Sequence, residues 1–348
     1  MAYTTIDNPE LYFQVKLYTG SGANQSITLD GSEDMQPDLV WIKDRTNTNN
    51  QVWTDSVRGV EKVIISNATN AEATYTDGLT AFNSDGFSLG DDDDGQMNVN
   101  TNACVAWCWK ANGSGSSNTD GTINTTKTSA NTTSGFSINT FEGTGAIATV
   151  GHGLGAAPTV LIVKKTSQGA NWGIGSVHID SWTDYVVFGT GAKEDDANFW
   201  NDTAPTSTVF SIGSSGNINT DDEDHVAYCF TPIQGFSKFG SYTANGSTDG
   251  VFVYTGFRPA FLMTKLTSTS GGGWEVVDSK RDGYNGENNR LYPNDTAAEG
   301  TGNDYDLLSN GFKVRQSGGS QQSGRVNFYM AFAEQPFVNS NGVPCNAR

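Results

Sequence analysis

Three histidines are the side chains of this sequence best suited to acid–base or metal chemistry. His152, His178 and His225 all lie in the middle third of the chain. Imidazole can act as a general base or as a zinc ligand, but a zinc site needs further His or Cys ligands at regular spacing. No such spacing surrounds these histidines, and no Gly-x-Ser-x-Gly turn supplies a serine nucleophile. We therefore predict no catalytic residue, no cofactor and no metal ligand among them.

Two acidic runs, Asp91 to Asp94 and Asp221 to Asp224, could gather a divalent cation through carboxylate oxygens. Gly90 stands where an Asp-x-Asp-x-Asp-Gly loop would place its first ligand. The matching C-terminal stretch, residues 316–323, has no acidic residue. A solvated acidic hairpin tip is therefore the favoured interpretation, and cation binding by residues 91–94 and 221–224 stays open.

Other candidate side chains are a carboxylate pair and two isolated tryptophans. Glycoside cleavage needs two carboxylates, and Glu275 with Asp278 is such a pair. An acidic chain offers many similar pairs, so we do not predict an enzyme. Trp182 and Trp200 have no counterpart elsewhere in the sequence. Unshared aromatic residues in loops are the weak candidates for contact with a ligand or a partner protein.

The elements that would position these residues recur three times. A proline precedes an apolar strand that ends on lysine at residues 37–43, 158–164 and 259–265. A tryptophan follows each of these strands: Trp53, Trp172 and Trp274. Each copy closes with another apolar strand, at residues 105–110, 226–231 and 328–333. An internal repeat of this kind determines architecture, and it indicates that matching positions serve packing.

The repeats predict an all-β fold of three tandem β-sandwich-like units. Short aromatic and β-branched runs alternate with Asp-Gly and Asn-Gly turns, and no window keeps a helical period. The predicted boundaries are residues 1–111 for the first repeat, 112–134 for an Asn/Ser/Thr/Gly linker, 135–234 for the second repeat and 235–348 for the third with its tail. The units either stand in series or pack around a pseudo-threefold axis with a shared core.

Composition limits the partners. The chain has 348 residues, 17% of them charged, and a net charge of −18. Nucleic-acid binding requires clustered Lys and Arg, so we predict no nucleic-acid partner. No apolar run has membrane-spanning length, and the N-terminus lacks a secretion signal, so we expect no membrane insertion and a location in the cytoplasm or in a particle assembled there. The cysteines Cys108 and Cys229 match Ala331, which favours core packing over disulfides.

Several long motifs resemble a known family. They are residues 37–43, 77–87, 151–155, 235–243 and 330–337, which are spread along the chain, and the resemblance covers essentially its whole length. The sequence resembles an uncharacterised, repeat-containing family of virion proteins from marine bacteriophages, associated with tails or fibres. This resemblance implies a virion component and supplies no functional residues.

We therefore expect a structural component of a tailed bacteriophage virion that is associated with the tail or a fibre. It would act as a homo-oligomer through repeated contacts with other virion proteins, with a host surface glycan as a further candidate partner. The polar ends, Met1 to Pro9 and Val338 to Arg348, are candidate docking arms. The alternatives are a capsid decoration protein on the head exterior and a carbohydrate-binding adhesin module.

Overall fold

Antiparallel β-strands make up nearly all of the regular structure, which confirms the all-β prediction. The computed structural model describes residues 3–281 and 285–345. Within those ranges the helices are short: α1 (Val177–Asp180), α2 (Ala197–Trp200) and the 3-10 turns Pro9–Leu11 and Gly319–Gln321. None of the helices described is long and apolar enough to cross a lipid bilayer.

The strands fall into three successive groups, which we call the first, second and third unit. The first unit contains β1 (Phe13–Thr19), β2 (Gln25–Ile27), β3 (Leu39–Asp44), β4 (Gln51–Asp55), β5 (Lys62–Ile65), β6 (Ala73–Thr74), β7 (Leu79–Asn83), β8 (Gly86–Leu89) and β9 (Ala103–Trp109). The second unit contains β10 (Lys127–Asn131), β11 (Phe136–Glu142), β12 (Ala148–Gly151), β13 (Val160–Lys165), β14 (Gly173–Ser176), β15 (Asp184–Tyr185), β16 (Glu194–Asp195), β17 (Val209–Ile212) and β18 (Asp224–Phe230). The third unit contains β19 (Ser237–Thr243), β20 (Phe252–Tyr254), β21 (Phe257–Leu266), β22 (Trp274–Asp278), β23 (Asn288–Arg290), β24 (Gly300–Gly302), β25 (Tyr305–Leu308), β26 (Gly311–Val314) and β27 (Val326–Pro336).

Each unit has a main sheet and a small sheet. The main sheets share the strand order β1–β9–β3–β4, β11–β18–β13–β14 and β19–β27–β21–β22, with β5 and β6 extending the first and β10 extending the second. The small sheets are β2–β8–β7, β12–β17 and β20–β26–β25. The repeated strands occupy the same position of this topology, because Leu39, Val160 and Phe261 each pair with the last long strand of their unit. Pro37 and Pro158 precede β3 and β13, whereas Pro259 lies within β21, where the pairing with β27 shifts register.

The segment interpreted from sequence as a linker, residues 112–134, contains a strand. β10 pairs along β11 at the edge of the second main sheet, and Ser129 within it is fully buried. Ile123 belongs to the apolar core of the second unit. The Ser and Thr residues that suggest a flexible linker instead satisfy this strand's polar edge, as in the hydrogen bond from the Asn112 amide to Ser129 Oγ (2.8 Å).

The main sheets are buried on both faces. In β3, Val40 and Ile42 point into an outer core between the main and small sheets of the first unit, whereas Leu39 and Trp41 point the other way. The second and third units have outer cores of their own. The inner faces of all three main sheets meet in one shared core, which is why the central strands are apolar without alternation.

Aromatic rings join the units inside this shared core. The ring centroids of Trp53 and Trp172 lie 5.2 Å apart, between the first and second units. Between the second and third units, the ring centroids of Phe230 and Phe332 lie 6.0 Å apart. Between the first and third units, those of Trp41 and Phe261 lie 6.4 Å apart. Each pair of units is thus in direct contact. These contacts agree with the packed arrangement considered above, and a pseudo-threefold axis stays an interpretation of them.

The three tryptophans that follow the Pro-to-Lys strands do not occupy one position. Trp274 lies opposite Lys265, and the register of β13 and β14 places Trp172 opposite Lys164. Gln51 is the residue opposite Lys43, and Trp53 lies two residues further along β4. A shift of two residues keeps a side chain on the same face of a strand, so all three tryptophans are buried core residues even though the alignment is offset.

The N-terminal segment is not a free arm in the residues described. Ile6 is buried in the shared core, and Thr4 Oγ1 donates a hydrogen bond to Gln234 O (2.8 Å). Asp7 accepts a hydrogen bond from the Ser340 amide (2.6 Å), which ties the start of the chain to its C-terminal tail. The two ends of the chain thus contact each other, and their use as docking arms stays a prediction. Met1, Ala2 and residues 346–348 lie outside the described residues.

The shared core predicts that the second unit does not fold alone. Excised residues 112–234 would expose Trp172, Tyr228 and Phe230 to water, and large side chains of this kind stabilise by about 1.5–3 kcal/mol each when buried. We expect an unfolded far-UV circular dichroism spectrum for this fragment, and a single cooperative urea transition with coincident near- and far-UV signals for the whole chain. A fragment with a dispersed amide NMR spectrum would contradict the shared-core account.

Candidate functional site

The lysines that end the repeated strands hold the units together. The Nζ atoms of Lys43, Lys164 and Lys265 donate to carbonyls of their own units, Asn49 O (2.9 Å), Ala170 O (3.0 Å) and Gly272 O (2.6 Å). Each also donates to a neighbouring unit: Lys43 to Thr296 O (3.1 Å), Lys164 to Thr69 O (3.3 Å) and Lys265 to Gly191 O (2.8 Å). These hydrogen bonds run from the first unit to the third, from the second to the first and from the third to the second. Burial lowers the pKa of each lysine to about 8.

A second set of side-chain donors follows the same direction at equivalent positions. Trp172 Nε1 donates to Ile65 O (3.0 Å), Trp274 Nε1 to Val187 O (2.8 Å) and Gln51 Nε2 to Tyr292 O (2.9 Å). The backbone amides of Glu72, Lys193 and Glu299 donate in the opposite direction, from the first to the second, the second to the third and the third to the first unit. Their acceptors are Thr166 O, Thr267 O and Arg45 O. The donors of Gln51, Trp172 and Trp274 are buried, so each is satisfied only when the neighbouring unit is in place.

A buried ionic cluster closes two of the three interfaces. Asp55 Oδ2 accepts from Arg58 Nε (2.6 Å) and from the hydroxyl of Tyr228 in the second unit (2.7 Å). Asp278 Oδ2 accepts from Arg281 Nε (2.6 Å) and from Trp107 Nε1 of the first unit (3.0 Å). Glu72 and Glu299 complete the clusters at 3.0 Å from Arg58 and Arg281.

The third interface has no charged residue at the same positions. Strand register places Ser176 where the others have Asp55 and Asp278. Three residues later Ile179 replaces the arginine, and Met330 replaces the Trp107 and Tyr228 donors. Ile179 and Met330 both belong to the shared core. An apolar packing thus does the work of an ionic cluster, which indicates that the clusters are structural.

The structure places Trp182 and Trp200 away from the surface, which corrects their interpretation as contact residues. Their exposed fractions are 3% and 0%, and their rings meet edge to face at 6.0 Å in the outer core of the second unit. Trp200 lies on α2, and Asp196 caps this helix by accepting from the Asn198 amide (2.9 Å). The second unit has only two strands in its small sheet, and these tryptophans fill the volume left there.

The acidic runs and the histidines have local structural contacts. Asp92 is buried and accepts from the amides of Met97 (2.7 Å) and Asn98 (2.6 Å). His225 stacks on Phe141 at 5.3 Å, and burial lowers its pKa to about 4. In residues 3–281 and 285–345, no three His, Cys, Asp or Glu side chains are arranged to hold a metal ion. Burial raises the pKa of Glu275 to about 7, whereas Asp278 forms a buried ion pair with Arg281.

The outward face of the third small sheet differs from its two counterparts. Val253 pairs with Phe312 just as Ile27 pairs with Phe87 and Val150 with Phe210, which aligns the three small sheets. The outward residue before this pair is Ser26, Thr149 or Phe252, and the one after it is Thr28, Gly151 or Tyr254. At these aligned positions the third unit alone carries aromatic rings, and Phe252 and Tyr254 are each 46% exposed.

Charged and amide side chains lie beside Phe252 and Tyr254. We call the two aromatic residues and these polar neighbours together the third outer face. Lys313 lies across the strands from Phe252 and from Asp306. Arg315 Nε pairs with Asp306 Oδ2 (2.5 Å), and Lys313 Nζ pairs with Asp249 Oδ1 (2.5 Å). A cleft of about 740 Å³ opens beside them, lined by Thr248, Asn285, Gly286, Asn303, Asp306, Arg315, Gln316 and Ser317. This face is the candidate binding site.

The third outer face was not predicted from the sequence, because its exposed aromatic residues are Phe252 and Tyr254 and not an unshared tryptophan. Phe252 and Tyr254 alternate with Val251 and Val253 in a short apolar run, which by itself reads as an ordinary core strand. The available signal was the comparison of aligned outward positions, where Ser or Thr in two repeats faces an aromatic residue in the third. That comparison requires the correct register, which the small sheets supply.

Removing the carboxylate of an ionic cluster should destabilise the whole chain. Asp278→Ala leaves the guanidinium of Arg281 buried with only Glu299 as an ionic partner, and we expect a loss of about 3 kcal/mol in urea unfolding. The double variant Asp278→Ala/Arg281→Met should recover part of this loss. The matched control is Ser176→Ala at the apolar interface, which loses only a capping hydrogen bond, about 1 kcal/mol. Equal losses in Asp278→Ala and Ser176→Ala would contradict a structural role for the cluster.

The buried lysines predict how stability depends on pH. Between pH 8 and 10 the unfolded chain keeps the Lys265 proton whereas the folded chain, with its lowered pKa of about 8, releases it. Folding stability contributed by Lys265 therefore rises with pH in this window, by about 2 kcal/mol. Urea unfolding of the wild type and Lys265→Met at pH 8 and pH 10 should show the wild type gaining relative to the variant. A constant difference would mean that the folded lysine is not perturbed.

Comparison with known proteins identifies a family and no activity. The curated proteins contain no match to this chain. A family profile described as a domain of unknown function, DUF7483, matches residues 8–336. This range spans all three units, from the first 3-10 turn to the end of β27. The chain belongs to the DUF7483 family.

Proposed function

We propose that this chain is a structural component of a tailed bacteriophage virion, associated with the tail or a fibre. It works by repeated contacts with copies of itself and with other virion proteins. The setting rests on the sequence motifs that resemble virion proteins. Neither covalent chemistry nor a cofactor is part of this proposal.

The observation that supports a scaffold role is the repeated set of polar contacts that joins each unit to both of its neighbours. Lysines, indole and amide donors, and backbone amides at equivalent positions all bond to the neighbouring unit. Buried groups of this type lock three sandwiches into one body, because separating any pair would strand several polar groups without partners. Such a body can carry load and hold its outward small sheets at constant positions.

Attachment to the tail is favoured over decoration of the head by the distribution of outward chemistry. A decoration protein must mainly match the capsid lattice, whereas a tail component also faces the host. The third outer face is one specialised surface on an otherwise Ser- and Thr-rich set of small sheets, as expected of a component with one recognition surface. A capsid decoration protein remains the alternative, and an isolated adhesin module is the third candidate.

Imaging of the particle tests this proposal. Antibodies against the purified chain, coupled to gold, should label the tail or fibres of phage particles whose genome encodes the chain, and mass spectrometry should detect it after stringent washing. The matched control is the same antibody preabsorbed with the purified chain. Labelling of the head would establish the decoration alternative. Intact particles without any label and without the chain would overturn the virion proposal.

A further inference from the structure

We infer that the third outer face binds a neutral oligosaccharide, through stacking on Phe252 and Tyr254 and hydrogen bonds to the adjoining polar cleft. The inference deepens the proposed function, because it names the partner of the particle, and it rests on that proposal only for its biological setting. The binding itself is a property of the folded chain and can be measured without the virion.

The aromatic rings are exposed and held in position. Tyr254 Oη is within hydrogen-bond distance of Tyr3 Oη (2.9 Å), and Lys238 Nζ lies 5.3 Å from the centre of the Tyr254 ring. Tyr3 Oη in turn donates to Gly256 O (2.9 Å). A ring fixed in this way loses little entropy on binding. The electron-rich face of the aromatic ring attracts polarised C–H groups. Each sugar ring presents a face of such C–H groups.

The polar groups beside the rings combine donors and acceptors. Asn303 and Gln316 supply side-chain amides with both functions, Thr248 supplies a hydroxyl, and Arg315 and Asp306 supply a paired donor and acceptor. A sugar hydroxyl also donates and accepts, so it can bond to such a mixed lining without a net charge.

The paired residues of β20 and β26 form a row that suits an extended chain of sugars. Between β20 and β26, Tyr254 pairs with Gly311 and Phe252 pairs with Lys313. Further along, the Gly250 amide donates to Val314 O, which places Gly250 beside Arg315. From Tyr254 to Gly250 is roughly 13 Å along the strand. A ligand covering this distance would stack on the aromatic end and place its hydroxyls in the cleft.

Charge pairing favours a neutral ligand over an anionic one. Lys313 is neutralised by Asp249, and Arg315 by Asp249 and Asp306, so these cations are not left free for a phosphate, sulfate or uronate group. A docked peptide strand is disfavoured as well, because Lys238 Nζ donates to Tyr254 O (2.7 Å) on β20, the edge strand of the sheet.

The test is binding of the purified full chain to a printed array of neutral hexose and N-acetylhexosamine oligosaccharides, with sulfated and uronic-acid oligosaccharides on the same array. We expect saturable binding to at least one neutral oligosaccharide, weakened tenfold or more in Phe252→Ala and in Tyr254→Ala. Arg315→Gln should weaken it too. The matched controls are Ser26→Ala and Thr149→Ala, which truncate the equivalent outward positions of the other units and should bind as the wild type does.

Each contrary outcome is informative. Binding confined to the anionic oligosaccharides, no binding to any neutral one, or neutral binding unchanged in Phe252→Ala and Tyr254→Ala would each overturn the inference. If these two variants lose affinity for another virion protein instead, the face is a protein-docking surface and the glycan assignment is overturned. Circular dichroism of each variant excludes misfolding. A particle that carries the chain on its tail while the array is negative refutes this inference alone, whereas a positive array with no chain in the particle refutes only the virion setting.

Discussion

Burial of the three main sheets on both faces is the constraint on which the rest of the structure depends. An antiparallel sheet usually leaves one face in water, but here the inner faces carry Trp41, Trp107, Tyr228, Phe261 and similar side chains. No single unit can cover these residues with its own small sheet, because that sheet already covers the opposite face. The units must therefore pack against one another, and the shared core is the result.

A shared core brings polar backbone and side-chain groups into the interfaces, and they must be satisfied there. The buried lysines donate to carbonyls on both sides of each interface. The carboxylates of Asp55 and Asp278 accept hydrogen bonds from a hydroxyl and an indole N–H of the neighbouring unit. The apolar version around Ile179 and Met330 shows that charge is not required for cohesion. The ionic versions instead make each interface specific for one neighbour, because a misplaced unit would leave a buried arginine unpaired.

Outward positions are free of these demands, and there the units differ. Ser26 and Thr149 are neutral surface residues, while the equivalent Phe252 is exposed beside charged pairs. Packing does not require an aromatic residue at such a position, because the inward neighbours Val253 and Phe312 already fill the outer core. Divergence at an outward position is therefore a better indicator of binding than divergence inside, where Trp182 and Trp200 compensate for a smaller sheet.

The sequence by itself determined the all-β class, the order of the repeated strands and the burial of the repeated tryptophans and cysteines, because turn residues and apolar runs act locally and recur. From the sequence, Trp53 was matched with Trp172 and Trp274, although the strand register offsets it by two residues. A two-residue shift keeps a side chain on the same face and leaves the hydrophobic pattern unchanged, so the sequence does not reveal this offset. Only the tertiary structure decided that the lysines cross between units, that residues 112–134 include a strand, and that Trp182 and Trp200 are internal while Phe252 and Tyr254 are exposed. The physical reason is that these properties depend on which surface lies against a residue, and residues far apart in the chain provide that surface.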